Sequence, residues 1–268
     1  MTRGRSAAPR PLGGCLVVGS SRGLGAALAA RLLEVSNAPV VGVARTPFAA
    51  VAEHQVWARS DRYCHLALDI AAPDAVPTIE GALGRLPSGP CLVIHNAAVV
   101  RSDLGPDGEI DWPALGEVNR IGITGLVNVV RAVEPRLRAE GGVLAGISSY
   151  AALAPPVRDP RLAYPASKAY LDMVLRVLRH LWRARVRVVT VRLGHIAEGE
   201  RRGLAGLLCP SYARAAARIV AALTGRRVPE TIDYPWPYAL VYRRVLPFVP
   251  DRVYFTLFER LLRSGARR

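Results

Sequence analysis

The chain has 268 residues, about half of them apolar, which suits one α/β domain with a sizeable core or two small domains. It has no run of about eighteen apolar residues, so we expect no membrane-spanning helix. The formal net charge of +15 favours an anionic partner such as a phosphorylated cofactor or lipid head groups. The arginines are spread along the chain and form no nucleic-acid module, so we do not predict nucleic-acid binding.

The amino terminus and the cysteines narrow the class of protein further. Residues 1–11 are basic and contain prolines but lack an apolar signal core, so we interpret them as a flexible tail on a cytoplasmic protein. The four cysteines have no metal-ligand spacing and the five histidines are scattered. We therefore predict no metal site.

A glycine-rich turn follows the first predicted strand, residues 15–18, and leads into a helical pattern. This order is typical of a dinucleotide site, because backbone N–H groups and a helix N-terminus together bind a pyrophosphate. Gly19 permits the sharp turn, Gly23 lets the backbone approach the anion, and Gly25 lets helix and strand pack closely. The alternative is that this glycine-rich turn has only a structural role. The residues assigned to the cofactor here are Gly19, Ser21, Arg22, Gly23, Leu24 and Gly25.

Arg45 follows the second predicted strand, residues 40–44, and lies 20 residues after Gly25. At this place an acidic residue would bind the ribose 2′-hydroxyl of NAD, whereas an arginine suits the 2′-phosphate of NADP. Arg22, inside the glycine turn, adds a second cation. Either arginine alone fits a surface position equally well, but together they favour NADP(H) as the cofactor.

Two further strand ends carry candidate cofactor residues. After an irregular stretch at 47–62, a third strand at 63–68 ends in Asp69 and Ile70. Asp69 is placed to accept from an adenine amino group; alternatively, it caps the helix predicted after Pro73. The fourth strand, 91–94, is followed by His95 and then by Asn96, Ala97 and Ala98, whose small size leaves room for a ligand on the backbone.

The middle of the chain supplies the polar groups of a possible reaction site. A helix predicted over 112–138 contains Asn119, which is mildly unfavourable there and indicates a local bonding task. A fifth strand, 143–147, ends in Ser148 and Ser149. Tyr164 and Lys168 are four residues apart on one face of a helix predicted over 164–183. Lys168 is the chain's only lysine, which indicates a site that needs lysine specifically.

Strands that alternate with helices, up to a sixth strand at 186–193, predict an α/β fold with a doubly wound parallel sheet. Such sheets bind ligands at the carboxyl ends of their strands. The residues that fall at these ends are Gly19, Arg45, Asp69, Asn96, Ser149 and Gly194.

In its order and spacing, this set resembles the short-chain dehydrogenase/reductase family of the Tyr-x-x-x-Lys type. The resemblance covers roughly residues 12–222. It rests on the glycine turn, Asp69, Asn96-Ala97-Ala98, Asn119 with Gly122, Ser149, Tyr164 and Lys168. It implies a Rossmann domain, here placed at 12–230, a nicotinamide cofactor, and dimers or tetramers built on the two long helices. It also implies a cofactor contact from the backbone of Ile196.

The resemblance assigns catalytic roles to Asn119, Ser149, Tyr164 and Lys168. In the reductive direction Tyr164 would donate a proton to a carbonyl oxygen that Ser149 orients. We expect the Lys168 ammonium to lower the Tyr164 pKa from its ordinary value of about 10. Tyr164 and Lys168 would also contact the cofactor, Lys168 through the nicotinamide ribose, and Asn119 would anchor a water that relays protons.

The chain departs from the family pattern at several positions. His95 and Ala98 stand where the family usually has Asn and Gly, Leu193 stands where it has Pro, and Glu198 replaces a later Thr. The spacing of 15 residues from Ser149 to Tyr164 is slightly longer than usual and indicates an altered substrate loop. A non-catalytic NADP(H)-binding sensor is therefore the alternative to an oxidoreductase acting on an apolar carbonyl or secondary alcohol.

Residues 231–268 are interpreted as an aromatic and arginine-rich helical extension, split by Pro247 and Pro250. Its aromatic residues are Tyr234, Trp236, Tyr238, Tyr242, Phe248, Tyr254, Phe255 and Phe258, interleaved with Arg243, Arg244, Arg252, Arg260 and Arg263. A cap over the substrate cleft or a dimer contact is one interpretation. Peripheral contact with a membrane or a lipid substrate is the other, since aromatic and arginine-rich helices suit an interface.

Overall fold

The computed structural model describes residues 12–105, 108–154 and 161–256. The predicted tail at 1–11 and the last part of the predicted extension, 257–268 with Phe258, Arg260 and Arg263, lie outside the described residues.

Within this described part, seven parallel strands form one sheet. The strands are β1 (Gly14–Val18), β2 (Val40–Ala44), β3 (Tyr63–Ala67), β4 (Cys91–His95), β5 (Gly142–Ser149), β6 (Val186–Leu193) and β7 (Thr231–Tyr234). Their spatial order is β3-β2-β1-β4-β5-β6-β7, so the chain reverses its direction of progress between β1 and β4. This arrangement confirms the predicted doubly wound Rossmann sheet in a single domain and places a ligand crevice at that switch point.

Helices cover both faces of the sheet. They are α1 (Gly23–Val35), α2 (Phe48–His54), α3 (Ala75–Gly84), α4 (Trp112–Asn119), α5 (Leu126–Glu140), α6 (Ala163–Leu181), α7 (Gly203–Leu208), α8 (Tyr212–Thr224) and α9 (Trp236–Leu240). The apolar sides of α1 and α8 build one core. Those of α3, α5 and α6 build the other. The central strands are consequently buried on both faces, which explains why they are almost wholly apolar in sequence.

The sheet continues past residue 230, where the sequence placed the end of the domain, so that boundary is wrong. β7 pairs with β6 from Thr190 opposite Thr231 to Leu193 opposite Tyr234. A four-residue edge strand with the sequence TIDY has too short and too polar a pattern to be distinguished from a loop.

Two helical predictions also need correction. The helix predicted over 112–138 is interrupted after α4 by a wide π-helical turn, Arg120–Gly125, before α5 begins. The stretch at 47–62, predicted to be irregular, contains α2 and a 3₁₀ turn, Val56–Arg59. The wide turn packs against α6, and α2 packs against β3; the local sequence does not report such contacts.

The C-terminal helical segment, defined here as residues 236–256, packs beside the end of β5. It comprises α9, further helical turns to Phe248, and a second helical stretch from residue 251. Tyr238 stacks on Tyr150 with ring centroids 5.7 Å apart, and Tyr242 packs against Tyr150 at a tilt with centroids 5.4 Å apart. None of the helices in the described ranges is long and apolar enough to cross a membrane.

Candidate active site at the carboxyl edge of the sheet

The glycine turn after β1 lies against the backbone that follows β4. Gly19 has a φ of +84°, and a side chain on it would come within 2.8 Å of the Ala97 Cα. A side chain on Gly25 would collide with the Gly19 carbonyl oxygen. That oxygen accepts a hydrogen bond from Asn96 Nδ2 at 2.9 Å. The structure therefore brings together the two backbone segments that the sequence assigned to one site.

The N-terminus of α1 is open toward this crevice. Arg22 occupies the N-cap position without a side-chain hydrogen bond to the helix, so the first N–H groups remain available to an anion. Leu24 is buried in the core, and only its backbone can contribute. Tyr212, a residue that sequence reasoning missed, lies 3.7 Å from where a Gly23 side chain would begin. Nothing in its local sequence marks Tyr212, because it begins α8 and lies far from the turn along the chain.

The two predicted phosphate-binding arginines lie at the surface. Arg22 is exposed and forms no ion pair with any described residue. Arg45 makes one loose ion pair with Glu117 on α4 at 3.4 Å, and its side chain is 54% exposed. A pair of this kind contributes at most about 1 kcal/mol, so Arg45 can exchange Glu117 for a stronger anion.

Asp69 accepts two hydrogen bonds that the sequence did not predict. Its Oδ1 accepts from the Ala71 N–H at 2.9 Å, and its Oδ2 accepts from Arg120 at 2.8 Å. Burial raises the Asp69 pKa, but these hydrogen bonds and the charges of Arg120 and Arg45 outweigh burial and hold the pKa below its ordinary value. Asp69 does not cap α3, whose N-cap is Asp74. It closes the turn after β3, and its oxygens keep lone pairs that these two hydrogen bonds do not use.

Ile70 and Ile196 direct their side chains into the cores. Ile70 is buried, and its carbonyl oxygen accepts from Asn128 Nδ2 at 2.9 Å. Ile196, which follows β6, packs half-buried against the core under α1 and α8. Ile70 can therefore reach a cofactor only through its backbone.

Ser149, Tyr164 and Lys168 come together where β5 ends and α6 begins. The Ser149 hydroxyl acts on the Tyr164 phenol, whose pKa it lowers, and accepts from the Ala151 N–H at 3.1 Å. Lys168 is buried, lies with its Nζ 5.7 Å from the Tyr164 ring centroid, and donates to the Ile147 carbonyl oxygen at 2.7 Å. The neighbouring Ser148 hydroxyl is buried without a partner in the described part of the chain. Ser149 is therefore the serine that meets Tyr164.

The pKa of Tyr164 is raised in this structure, whereas the sequence predicted that it would be lowered. Burial raises the pKa of Tyr164, and the Ser149 hydrogen bond and the charge of Arg161 offset only part of that increase. Burial also lowers the pKa of Lys168 to about 8, against an opposing contribution from Asp172. The sequence showed that the two side chains share a helix face but not how deeply they are buried, and burial determines both shifts.

Asn119 ends α4, where the wide turn Arg120–Gly125 begins, and α4 packs against α6. Gly122 in that turn is needed for the close approach, because a side chain there would come within 2.7 Å of the Ser167 Cβ. A π-helical turn inside a helix frequently marks a functional position. Asn119 thus lies on the element that faces Lys168.

A buried carboxylate that the sequence did not single out fixes the start of α6. Asp103 is fully buried in the loop after β4 and accepts from the Leu162 N–H at 2.8 Å and from the Ala163 N–H at 2.6 Å. These donors belong to the N-terminal turn of the helix that carries Tyr164 and Lys168. Asp103 therefore connects the β4 loop to the reacting groups.

Comparisons with known proteins agree with this architecture. A family model described as short chain dehydrogenase matches residues 14–205. A short-chain dehydrogenase from Burkholderia cenocepacia J2315 in complex with NADP is similar over 94% of this chain and 98% of its own, with 23% identity and a TM-score of 0.70. NADPH-bound carbonyl reductase from chicken fatty liver is similar over 84% and 93% of the two chains, with 20% identity and a TM-score of 0.71.

A 3-ketoacyl-(acyl-carrier-protein) reductase from Brucella melitensis complexed with NADH is 19% identical, covers 82% of this chain and 95% of its own, and has a TM-score of 0.69. A search of curated proteins finds no match. At these identities the solved structures establish the fold, whereas the family model spans well over half of the chain. This protein belongs to the short-chain dehydrogenase family, whose members are oxidoreductases that bind a nicotinamide cofactor.

Proposed function

We propose that the protein is an NADP(H)-dependent oxidoreductase that transfers a hydride between the nicotinamide and an apolar carbonyl or secondary alcohol. The observation that carries this proposal is that Lys168 is buried beside the phenol ring of Tyr164 and that the Ser149 hydroxyl acts on the same phenol and lowers its pKa. A dinucleotide-binding scaffold alone needs no such arrangement. These three side chains lie at the carboxyl edge of the sheet, where family members bind their cofactor.

The described residues fit a dinucleotide. The glycine turn leaves no room for side chains at Gly19 and Gly25, and the first turn of α1 offers unpaired N–H groups. Asn96 fixes the turn, while Ala97 and Ala98 keep the backbone beside it accessible. The adenine would lie beside Asp69 and Ile70, and the nicotinamide end beside Ile196, Tyr164 and Lys168. When bound, the cofactor supplies or accepts the hydride.

Selection of NADP(H) over NAD(H) would depend on Arg22 and Arg45. Both side chains are exposed at the edge that follows β1 and β2, and no carboxylate other than Glu117 pairs with either of them among the described residues. Two arginines match a 2′-phosphate, since guanidinium groups bind phosphate bidentately.

The raised Tyr164 pKa supports a proton-donor role in reduction. A phenol that stays protonated at neutral pH can give its proton to the developing alkoxide, while the Ser149 hydroxyl holds the carbonyl oxygen. Lys168 places a positive charge beside the phenolate that remains, which stabilises it. We assign Asn119 to the water-mediated return of the proton. Oxidation of an alcohol needs the phenolate and should therefore be favoured at higher pH.

The aromatic surroundings support an apolar substrate. Tyr150 directly follows Ser149 in sequence, and the rings of Tyr238 and Tyr242 pack against it. A neighbouring cavity of about 500 Å³ has the volume typical of small-molecule sites. Its lining combines the apolar side chains of Leu153, Leu246, Val249 and Phe255 with the charged side chains of Arg192, Arg243 and Asp251.

The test is NADPH consumption against aliphatic, aromatic and long-chain ketones and aldehydes, with NADH in parallel. The Tyr164→Phe variant should lose at least about a hundredfold in kcat while it binds NADPH as the wild type does. Tyr170→Phe, on the same helix but exposed, is the matched control and should retain activity. If NADPH binds but no substrate reacts, the proposed enzyme function is refuted in favour of a non-catalytic NADP(H)-binding sensor.

We also propose a homo-oligomer that associates through α6. Along this helix Tyr170, Met173, Val177 and Leu181 form an exposed apolar stripe at helical spacing. Light scattering on the wild type and on a Met173→Ser/Leu181→Ser variant tests it. A monomeric wild type would refute it.

We propose a cytoplasmic location with peripheral membrane contact through the C-terminal helical segment. Its inner face, with Tyr238 and Tyr242, packs on the domain, whereas Trp236 and Phe248 on the outer face are 62% and 83% exposed. Residues 236–268 carry seven arginines and only two acidic residues. In a symmetric dimer through this face the like charges would repel, whereas an anionic bilayer attracts them.

Flotation of the full chain with vesicles of phosphatidylglycerol and phosphatidylcholine, compared with phosphatidylcholine alone, tests this contact. We expect binding to the anionic vesicles only, reduced by salt and lost in a Trp236→Ser/Phe248→Ser variant. Val56→Ser, which removes an equally exposed apolar side chain elsewhere, should not change binding. Failure of the wild type to bind either vesicle would refute the contact.

A further inference from the structure

His95 is a buried histidine that the proposed reaction does not use. It ends β4, its side chain lies on the sheet face covered by α4 and α6, and only 3% of its surface is exposed. Its Nδ1 has no hydrogen-bond partner in the described part of the chain. A buried polar atom without a partner destabilises a fold by about 1–3 kcal/mol, so this atom requires an explanation.

A small cavity lies between His95 and Lys168. Its volume is about 10 Å³, close to the space that one water molecule requires. The polar residues of its wall are His95, Ser167 and Lys168; the remaining wall includes Val118, Gly122 and Leu171. Gly122 helps to keep it open, since a side chain there would meet Ser167.

The three polar residues can satisfy one water. A buried water typically makes two to four hydrogen bonds. The Lys168 ammonium has three N–H donors, and one of them is used by the Ile147 carbonyl oxygen. His95 Nδ1 is unpartnered, and the Ser167 hydroxyl, which donates to the Tyr164 carbonyl oxygen at 2.8 Å, retains acceptor capacity.

We propose that His95 is a positioning residue for Lys168: the imidazole and the ammonium bind one buried water in this cavity, and the water holds the ammonium beside Tyr164. The water site follows from the cavity and the unpartnered nitrogen, whereas its value for catalysis rests on the proposed function. Arginine could not replace Lys168 here, because its larger guanidinium would fill the space of the water.

The imidazole solvates Lys168 without adding a second charge. Burial and, secondarily, the charge of Lys168 lower the pKa of His95 to about 3, so His95 is neutral near pH 7. Around the ammonium, β4 contributes His95 and α6 contributes Tyr164 and Asp172 as titratable groups. The other facing elements contribute the uncharged Ile147 carbonyl, Val118 and Gly122.

Because Lys168 is the only lysine, its titration can be read directly. Protein labelled with [¹³Cε]-lysine gives a single side-chain resonance, and no cofactor or substrate is needed. The wild-type midpoint should lie near 8. In His95→Leu it should fall by about one pH unit, because the charged form loses a solvating partner. His95→Asn, which keeps a donor and an acceptor, should restore most of the wild-type value.

His180→Asn, which alters an exposed histidine at the end of α6, is the matched control. Equal midpoints in wild type, His95→Leu and His95→Asn would overturn the inference. If His95→Leu does not fold, a high-resolution crystal structure of the wild type decides, and absence of an ordered water between His95 and Lys168 overturns it. A shifted midpoint together with a wild type that turns over no substrate would refute the proposed function alone.

Discussion

Replacing Asp103 by alanine should destabilise the start of α6, the helix that carries both reacting side chains. Asp103 is fully buried, and each of its oxygens accepts one backbone hydrogen bond, from Leu162 at 2.8 Å and from Ala163 at 2.6 Å. A hydrogen bond to a charged group contributes about 1.5–3 kcal/mol, so the two together contribute about 3–6 kcal/mol. This is a large share of a domain stability of about 5–15 kcal/mol.

Urea unfolding followed by circular dichroism measures this loss. Asp103→Ala should lower the free energy of unfolding by about 4 kcal/mol, and Asp103→Asn by roughly half as much, because one acceptor oxygen remains. Asp61→Ala, at an exposed position, should change it by less than about 0.5 kcal/mol. A loss below about 1 kcal/mol in Asp103→Ala would show that water or another group replaces the carboxylate and would refute the reasoning.

Three further substitutions test the glycine turn, the ion pairs of Arg192 and the buried His95. Gly25→Ala should weaken NADPH binding more than tenfold by fluorescence titration, because its methyl group would meet the Gly19 carbonyl oxygen; Gly81→Ala, with open space around it, should not. Arg192→Met should cost about 3–5 kcal/mol in urea unfolding, because the largely buried carboxylate of Asp172 loses its cation and that of Asp233 keeps only Arg243. Finally, the pKa of His95 is about 6.5 in the unfolded chain but about 3 in the folded protein, so the unfolded chain takes up a proton first as the pH falls. This proton uptake lowers the free energy of unfolding. Between neutral pH and pH 5 the wild type should lose about 2 kcal/mol more of this free energy than His95→Asn.

The fold could be predicted from the sequence because its central strands are buried on both faces. Such strands appear as short continuous apolar runs, and the runs at β1, β2 and β4 are of this kind. The glycine turn was equally accessible, since Gly19 and Gly25 are required by contacts within one strand-turn-helix unit. Local sequence patterns were sufficient wherever the contacts that determine the structure join residues close together in sequence.

The parts that could not be predicted depend on contacts between distant segments. Asp103 meets Leu162 and Ala163 across about 60 residues of sequence. Tyr212 reaches the glycine turn from the far end of the domain. The sign of the Tyr164 pKa shift depends on burial by several elements at once. No periodicity or spacing records such contacts, and the same holds for the edge strand β7.

The single lysine connects what the sequence showed with what only the structure explains. Composition indicated that position 168 needs lysine, and the resemblance assigned it a role, but neither gave the physical reason. In the structure the ammonium is buried, donates to the Ile147 carbonyl and borders a cavity of about 10 Å³. A compact ammonium fits this space, and burial brings its pKa to about 8, whereas a guanidinium would be larger and permanently charged. The requirement for lysine is therefore one of size and of adjustable charge, and both depend on how closely α4 and α6 pack over β4 and β5.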